Sequence, residues 1–212
     1  DLLINGIETD SVSGSAAGPY IFEFEQPPEG EVAIGWSENH EIRDLFAPPN
    51  DFAAENWTYV IDPNAPTGQL VINELLASNQ KTNTDPQEEF EDWVELYNSS
   101  SKAIDLSGLY LSDSLNNPRK WKFPEGTAIA AESYLVIWLD GDAEAEGLHA
   151  GFRLNRDGET ILLVDRDKGQ NAILDELKFS AQENDRSFGR AKDGEGKGRS
   201  LKPTPGKANP ER

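Results

Sequence analysis

Acidic side chains are concentrated in two short stretches where carboxylates could act together as metal ligands or as an acid–base pair. The first is the loop "DPQEEFED" (85–92) with Glu95 just beyond it, and the second is "WLDGDAEAEG" (138–147). Ca²⁺ prefers oxygen ligands, and two neighbouring carboxylates can also serve as general acid and base. The candidate metal ligands are Asp85, Asp92, Glu95, Asp140 and Asp142.

Both stretches also fit a purely structural interpretation. Alternation in "DWVEL" directs Val94 and Leu96 inward and Glu95 outward, where a carboxylate is simply hydrated. Acidic residues alternate over 140–144 as at the start of a calcium loop, but the later glycine and glutamate of an EF-hand are missing. The residues alone therefore leave a charged outer face, a calcium site and a catalytic pair as open alternatives.

The residue types that are absent exclude several kinds of site. The chain has no cysteine and only two histidines, His40 and His149. It therefore has no disulfide, no thiolate nucleophile and no zinc site built from several histidines. His149 has no acidic partner that the sequence defines, and we expect it to be a strand residue with a satisfied hydrogen bond. We expect no cofactor other than the candidate Ca²⁺.

Aromatic residues of the later part of the chain form a second candidate surface. Coplanar rings on one exposed face would stack on a sugar, whereas aromatic residues of a β-sandwich more often fill or cover the core. The aromatic residues concerned are Trp93, Tyr97, Tyr110, Trp121 and Trp138.

The net charge of −20 is unevenly distributed. Residues 1–66 hold 13 acidic residues and one basic residue, whereas residues 178–212 hold five acidic and nine basic residues. Because most of such a surface repels phosphates, we do not expect nucleic acid to be a partner.

The sequence has no apolar run of the roughly 20 residues that a membrane span requires. The lack of methionine suggests a piece of a longer, exported precursor.

A change of composition predicts two domains, 1–66 and 67–212. The segment "IDPNAPTGQ" (61–69) holds two prolines, an asparagine and a glycine between two strand-like runs. Before it, "YIFEFEQ" (20–26) and "EVAIGWS" (31–37) predict a β-hairpin closed by "PPEG", and "NWTYVID" (56–62) predicts another strand.

After the boundary, short strand-like segments recur about every ten residues, with connectors rich in Gly, Asn, Asp, Pro and Ser. This pattern predicts an all-β sandwich or barrel. The proline-rich "LKPTPGKANP" should wrap across the surface or close an edge. The predicted strands are "QLVINELL", "DWVELYN", "GLYLSD", "RKWKFP", "SYLVIWLD", "GFRLN", "TILLVDR", "AILDELKF" and "RSFGR".

Several of these segments, read in order, resemble the bacterial form of the lamin tail domain family over residues 68–210. The matching segments are "LVINELLASNQ", "DWVELYNSSSKAIDLSGLYLSD", "RKWKFPEGTAIAAESYLVIWLDGD", "GLHAGFRLNRDGETILLVD" and "SLKPTPGKANP". The resemblance implies an immunoglobulin-like β-sandwich without catalytic activity. It also implies that Val94, Leu96, Leu106, Leu109 and Leu111 belong to the core.

Residues 1–62 resemble the later part of a second immunoglobulin-like module of bacterial surface proteins. Because such modules have one or two strands before "DLLING", we expect this smaller module to be partial or truncated.

The sequence thus predicts a non-enzymatic binding or spacer module of a secreted or cell-surface protein. Its partner would be a protein, a cell surface or a neighbouring domain. A carbohydrate-binding module and an accessory part of a metal-dependent hydrolase are the alternatives.

Overall fold

A computed structural model describes residues 2–14, 20–40, 42–44, 46–61, 69–166 and 171–210. The chain divides into two compact units, Asp1–Asn64 and Ala65–Arg212. The predicted boundary between residues 66 and 67 lies outside the described residues. All regular elements among the described residues are β-strands, so the predicted all-β class is confirmed. Over the same residues, no helical segment has the length and apolarity of a membrane span.

The first unit is built on one four-stranded antiparallel sheet, in the order β2-β1-β5-β6, and one separate pair, β3-β4. Its core consists of Leu2, Ile4, Val32 and Ile34, which alternate along β1 and β5 as a half-buried sheet requires. The strands are β1 (Leu2–Ile4), β2 (Ile7–Glu8), β3 (Ser11–Ser13), β4 (Ile21–Glu23), β5 (Gly30–Trp36) and β6 (Trp57–Ile61).

The hairpin predicted between 20–26 and 31–37 is wrong. β4 pairs with β3, whereas β5 pairs with β1 on one side and β6 on the other. Because both hydrogen-bonding edges of β5 are occupied, it has no edge left for β4. The strand predicted at 56–62 is confirmed as β6. That this unit is a partial immunoglobulin-like module stays a prediction.

The second unit contains a five-stranded sheet, in the order β13-β8-β7-β16-β17, a four-stranded sheet, β11-β10-β14-β15, and the pair β12-β9. The strands are β7 (Leu70–Leu76), β8 (Trp93–Asn98), β9 (Ile104–Asp105), β10 (Tyr110–Ser112), β11 (Trp121–Lys122), β12 (Ala128–Ile129), β13 (Ser133–Trp138), β14 (Thr160–Val164), β15 (Ile173–Lys178), β16 (Ser187–Lys192) and β17 (Glu195–Leu201).

The two larger sheets share one apolar core, as an immunoglobulin-like sandwich requires. Val94 and Leu96 of the five-stranded sheet and Leu111 and Leu163 of the four-stranded sheet lie in one buried cluster. The five predicted core residues, Val94, Leu96, Leu106, Leu109 and Leu111, are all 0% exposed, which confirms the prediction. The strand predicted at "GFRLN" is wrong, because Arg153 forms only an isolated bridge with Asp140.

The outer face of the five-stranded sheet is also largely covered. At one end, Leu76, Trp93 and Trp138 form a separate apolar cluster. In the middle, Glu74 and Glu95 are cross-strand partners, next to an irregularity of the β7–β8 register between Ile72 and Glu74. This outer face is therefore not a simply hydrated surface, and its centre is acidic.

Candidate functional site

The structure separates the five candidate metal ligands into different environments. Asp85 and Asp140 come together with His149, and their ligand atoms all lie within 4.8 Å of one another. Asp92 is half-buried. Asp142 is exposed, although its backbone N–H donates to Asp140 Oδ1 at 2.8 Å. Glu95 lies on the outer face of the sheet, beside Glu74.

The cluster of Asp85, Asp140 and His149 lies where three loop segments meet at the end of β13. Asp85 opens a tight turn, and its Oδ1 accepts backbone N–H groups of Gln87 at 2.9 Å and Glu89 at 2.8 Å. Asp140 follows β13 by two residues. His149 is brought beside it by a parallel bridge to Trp138. All three side chains are at least nine-tenths buried, with exposures of 6%, 6% and 2%.

The hydrogen bonds of His149 define its proton positions. Its Nε2 lies 3.1 Å from the carbonyl oxygen of Glu146, and its Nδ1 lies 2.5 Å from Asp140 Oδ2. Because a carbonyl oxygen only accepts, Nε2 must carry a proton. In the neutral ring, Nδ1 then presents a lone pair to the carboxylate oxygen. Because a separation of 2.5 Å leaves no room for a metal ion bound to both atoms, a proton lies between these two acceptors here, as in an ion pair of protonated His149 with Asp140.

The cluster also has few positive charges around it. Among the described residues, neither Asp85 nor Asp140 forms an ion pair with lysine or arginine, and Arg153 pairs at 3.6 Å with Glu91 instead. Burial raises the pKa of Glu91, and the charges of Asp140, Glu89 and Asp85 raise it further, against the lowering effect of Arg153. Apart from Arg153, the charged groups that act on Glu91 are therefore acidic.

The two acidic loops form one continuous surface. Gln87 Nε2 donates to the carbonyl oxygen of Glu146 at 3.1 Å, which joins loop 85–92 to loop 140–146. The side chain of Phe90 lies on this surface and is 47% exposed, beside the exposed carboxylates of Glu88 and Glu89. An exposed aromatic ring surrounded by carboxylates is a feature that a basic partner can recognise.

Glu95 is buried, which corrects the expectation that it faces solvent. The predicted alternation along β8 is confirmed, because Glu95 points away from the core that Val94 and Leu96 share. However, its side chain is 0% exposed. The closing segment, residues 202–210, lies over it, and the backbone N–H of Gly206 donates to Glu95 Oε2 at 2.6 Å. The prediction that this segment wraps across the surface is confirmed.

Glu74 is held by the same segment. Thr204 donates to it from its backbone N–H at 3.2 Å and from its hydroxyl at 3.0 Å, and Ser187 Oγ also donates. Burial raises the pKa of Glu74 against these hydrogen bonds, and the charge of Asp193 adds to the rise. Glu74 therefore acts as an anchor for the closing segment.

Burial also raises the pKa of Glu95, to about 8, against the hydrogen bonds from Gly206 and Asn73. The charges of Glu74 and Asp193 raise it further. Asn73 connects these groups, because its Nδ2 lies 2.9 Å from Asp193 Oδ1 and 3.3 Å from Glu95 Oε1. At neutral pH Glu95 is thus mostly protonated, in a site closed to solvent.

The five candidate aromatic residues do not form one exposed, coplanar face. Trp93, Trp138 and Tyr110 are buried, with exposures of 0%, 8% and 7%. Trp121 packs edge-on against the buried Phe123, and Tyr97 stacks on Tyr134 with ring centres 4.8 Å apart. Trp121 covers the main core, whereas Trp93, Trp138 and Tyr110 belong to smaller apolar clusters of their own.

That His149 belongs with Asp85 and Asp140 could not be predicted from the sequence. The signal was weak, because Asp140 precedes it by nine residues and neither helical nor strand periodicity brings two such positions together. Only the bridge between Trp138 and His149 does so. The one feature of the sequence that distinguishes His149 is that the chain contains only two histidines.

The architecture defines a class of protein, an immunoglobulin-like β-sandwich module, in which buried carboxylates accept hydrogen bonds from the closing segment. The model of the family described as Lamin Tail Domain matches residues 63–180, more than half of the chain. The chain belongs to the lamin tail domain family. No curated protein and no solved structure matches it. Strands β16 and β17 and the closing segment lie beyond the matched residues, although β16 pairs directly with β7.

Proposed function

We propose that this chain is a non-catalytic binding and spacer module of a secreted or cell-surface protein, in the bacterial form of the family. The lamin tail domain is a non-catalytic immunoglobulin-like family, which agrees with such a role. A rigid sandwich with a large core holds its loops and its neighbouring domains at fixed positions. The module then recognises a partner and positions its neighbouring domains, and its own residues catalyse no reaction.

The continuous acidic surface of loops 85–92 and 140–146 is the observation that carries the proposal. It combines a half-exposed phenyl ring with exposed carboxylates of Glu88, Glu89 and Glu144. The loops are fixed in place by Gln87 and by the buried Asp85 and Asp140. A preorganised surface loses little conformational entropy on binding. The partner is a protein segment that places an apolar side chain beside lysine or arginine.

The buried carboxylates of Glu74 and Glu95 support a non-catalytic role. Both are 0% exposed and accept hydrogen bonds from the closing segment, so a substrate could reach them only if that segment left. An acid–base pair for hydrolysis needs a concave site open to substrate. The alternative of a hydrolase accessory module thus loses its main candidates.

The alternative of a carbohydrate-binding module also receives less support. Sugar stacking needs exposed, coplanar rings, whereas Trp93 and Trp138 are covered and the rings of Tyr97 and Tyr134 stack on each other. Phe90 remains as a single exposed ring on the acidic surface. A single phenyl ring among carboxylates suits a basic peptide better than a neutral glycan.

A phage-displayed peptide library tests the proposal. We expect selection on the immobilised protein to enrich peptides that carry lysine or arginine next to an apolar residue. Phe90→Ala should weaken binding of these peptides about 10-fold or more, because an exposed aromatic anchor often dominates a small interface. The combined change Glu88→Gln and Glu89→Gln should weaken binding and reduce its dependence on salt.

Matched controls come from other exposed positions of the same unit. Leu115→Ala removes a side chain that is 68% exposed, and Glu125→Gln removes one exposed charge. Both variants should bind the selected peptides as the wild type does. If Phe90→Ala binds as well as Leu115→Ala, or if enriched peptides are neutral or acidic, the acidic surface is not the binding site and the proposal fails.

The location outside the cell is a further part of the proposal. The absence of cysteine and the strongly acidic composition are compatible with an exported protein, and the resemblance to bacterial surface modules is the main support. Antibody labelling of intact cells of the source organism tests this part. Labelling that requires permeabilised cells would contradict it.

A further inference from the structure

We infer that Asp85, Asp140 and His149 bind one divalent metal ion of the Zn²⁺ or Mn²⁺ type. The three side chains are almost fully buried, and one ligand atom from each lies within 4.8 Å of the other two. This inference goes beyond the proposed binding function and does not depend on a protein partner.

The orientation of His149 is the observation that points to a cation. Its Nε2 donates to the Glu146 carbonyl oxygen at 3.1 Å, so Nδ1 is the nitrogen that faces Asp140 Oδ2 and that a metal ion would bind in place of a proton. Metal-binding histidines commonly donate their other N–H to a backbone carbonyl in this manner, which fixes the tautomer that binds metal. The second-shell hydrogen bond of a metal site is therefore already present.

The charge balance leads to the same conclusion. Two carboxylates are buried together, and the only ion pair that either forms among the described residues is that of Asp140 with His149, which leaves Asp85 without a cationic side chain of its own. Buried charges without a counter-charge are strongly unfavourable. A divalent ion bound to Asp85, Asp140 and the neutral His149 would balance both carboxylates.

The second carboxylate oxygens support the ligand geometry. Asp140 Oδ1 accepts the backbone N–H of Asp142, and Asp85 Oδ1 accepts two backbone N–H groups. In each aspartate one oxygen is thus fixed by the loop, and Asp140 Oδ2, which faces His149 Nδ1 at 2.5 Å, could bind the ion together with Nδ1 once the two atoms moved apart. Ligands about 2.1 Å from one ion lie roughly 3–4 Å apart, so small side-chain movements would complete the site.

The donor set selects the kind of metal. One imidazole nitrogen and two carboxylate oxygens suit Zn²⁺ or Mn²⁺, whereas Ca²⁺ takes six to eight oxygen ligands. The calcium expected from the sequence is therefore not the ion that these three residues favour. The ion would tie loop 85–89 to the end of β13 and to the segment that carries His149.

Metal content and affinity test the inference directly on the whole chain. The protein is stripped with a chelator, dialysed, and then titrated with Zn²⁺, Mn²⁺ or Ca²⁺ in separate calorimetric experiments. We expect about one Zn²⁺ or Mn²⁺ per chain, an upward shift of several degrees in the melting temperature, and at least 10-fold weaker binding of Ca²⁺. Asp85→Asn and His149→Gln should each weaken binding at least 10-fold.

Two controls separate a specific site from general acidity. Glu144→Gln removes an exposed charge from the same loop, and His40→Gln removes the other histidine of the chain. Both variants should bind metal as the wild type does. Equal weakening by Glu144→Gln and Asp85→Asn would overturn the inference, since the loops would then attract cations without a defined site.

Imidazole ¹⁵N spectra of the wild-type protein give a readout that needs no variant of the cluster to fold. With Zn²⁺ present, we expect the His149 Nδ1 signal to shift to the position of a metal-bound nitrogen while Nε2 stays protonated. A ring protonated on both nitrogens in the presence of Zn²⁺, near neutral pH, would show that a proton is the missing cation. That result would overturn the metal site.

Discussion

Glu74 and Glu95 lie directly opposite each other on β7 and β8, and the closing segment covers both carboxyl groups. Two acidic side chains at directly opposed positions of a sheet would repel each other if both were ionised. The raised pKa of Glu95, about 8, keeps a proton on the pair near neutral pH, and Ser187 and the closing segment donate hydrogen bonds to oxygen atoms of the pair. The pair therefore makes the sandwich sensitive to pH.

Stability should decrease as pH rises from about 4.5 to about 8. The folded state holds the proton of Glu95 up to about pH 8, whereas the unfolded chain releases it near 4.5. Over this range the folded state binds more protons than the unfolded state, so the free energy of unfolding falls with rising pH. Each pKa unit corresponds to about 1.4 kcal/mol, so a total loss of a few kcal/mol is expected. Urea denaturation at several pH values measures it.

Glu95→Gln should flatten this pH dependence, because the amide keeps the shape of a protonated carboxyl group and does not ionise. The variant should be more stable than the wild type at pH 8. Glu125→Gln, at an exposed position, should leave the slope unchanged. An unchanged slope in Glu95→Gln would mean that other groups control the response to pH.

The hydroxyl of Thr204 should contribute measurably to the attachment of the closing segment. Thr204→Val keeps the shape of the side chain but removes the donor to Glu74 Oε2 at 3.0 Å. The expected loss is about 1–3 kcal/mol in the free energy of unfolding, because a buried acceptor loses a partner. Thr204→Ser retains the hydroxyl and should lose much less. Chemical denaturation of both variants measures the difference, and equal losses would assign the effect to packing.

Gly158 should tolerate alanine much less than Gly126 does. Both have positive φ angles, +109° for Gly158 and +82° for Gly126. A Cβ at Gly158 would lie 2.8 Å from the Phe179 carbonyl oxygen, whereas a Cβ at Gly126 would have no atom within 4 Å. Gly126→Ala should cost about 1 kcal/mol through backbone strain alone. Gly158→Ala should cost at least about 2 kcal/mol more, since backbone atoms must move. Similar melting temperatures for the two variants would contradict this close contact.

The sequence predicted most strands of the second unit because its core strands alternate apolar and polar residues between clear turn signals. It did not predict β17, Glu195–Leu201, whose composition of glycine and basic residues is unusual for a strand. The structure explains one of these glycines, since a Cβ at Gly198 would lie 2.1 Å from the ring of Phe188 on the neighbouring strand. Such a packing requirement cannot be predicted from the sequence until the pairing of the strands is known.

The residues of the candidate site could likewise be predicted from the sequence only in part. Alternation gave the correct direction of Glu95, but its burial depends on Gly206, which lies 111 positions later in the chain. Likewise, Asp85 and Asp140 were candidates by composition, whereas their meeting with His149 depends on how three loops converge. Local periodicity predicts the face on which a side chain lies, and long-range contacts decide what covers it.

The position of the closing segment along the chain has a consequence for how the protein is made. Strand β7 is synthesised before the closing segment, whose donors to Glu74 and Glu95 follow more than 100 residues later. Until then both carboxyl groups are hydrated and ionised at neutral pH, and their mutual repulsion weakens the pairing of β7 with β8. The central sheet therefore reaches its final stability only as translation of the module is completed.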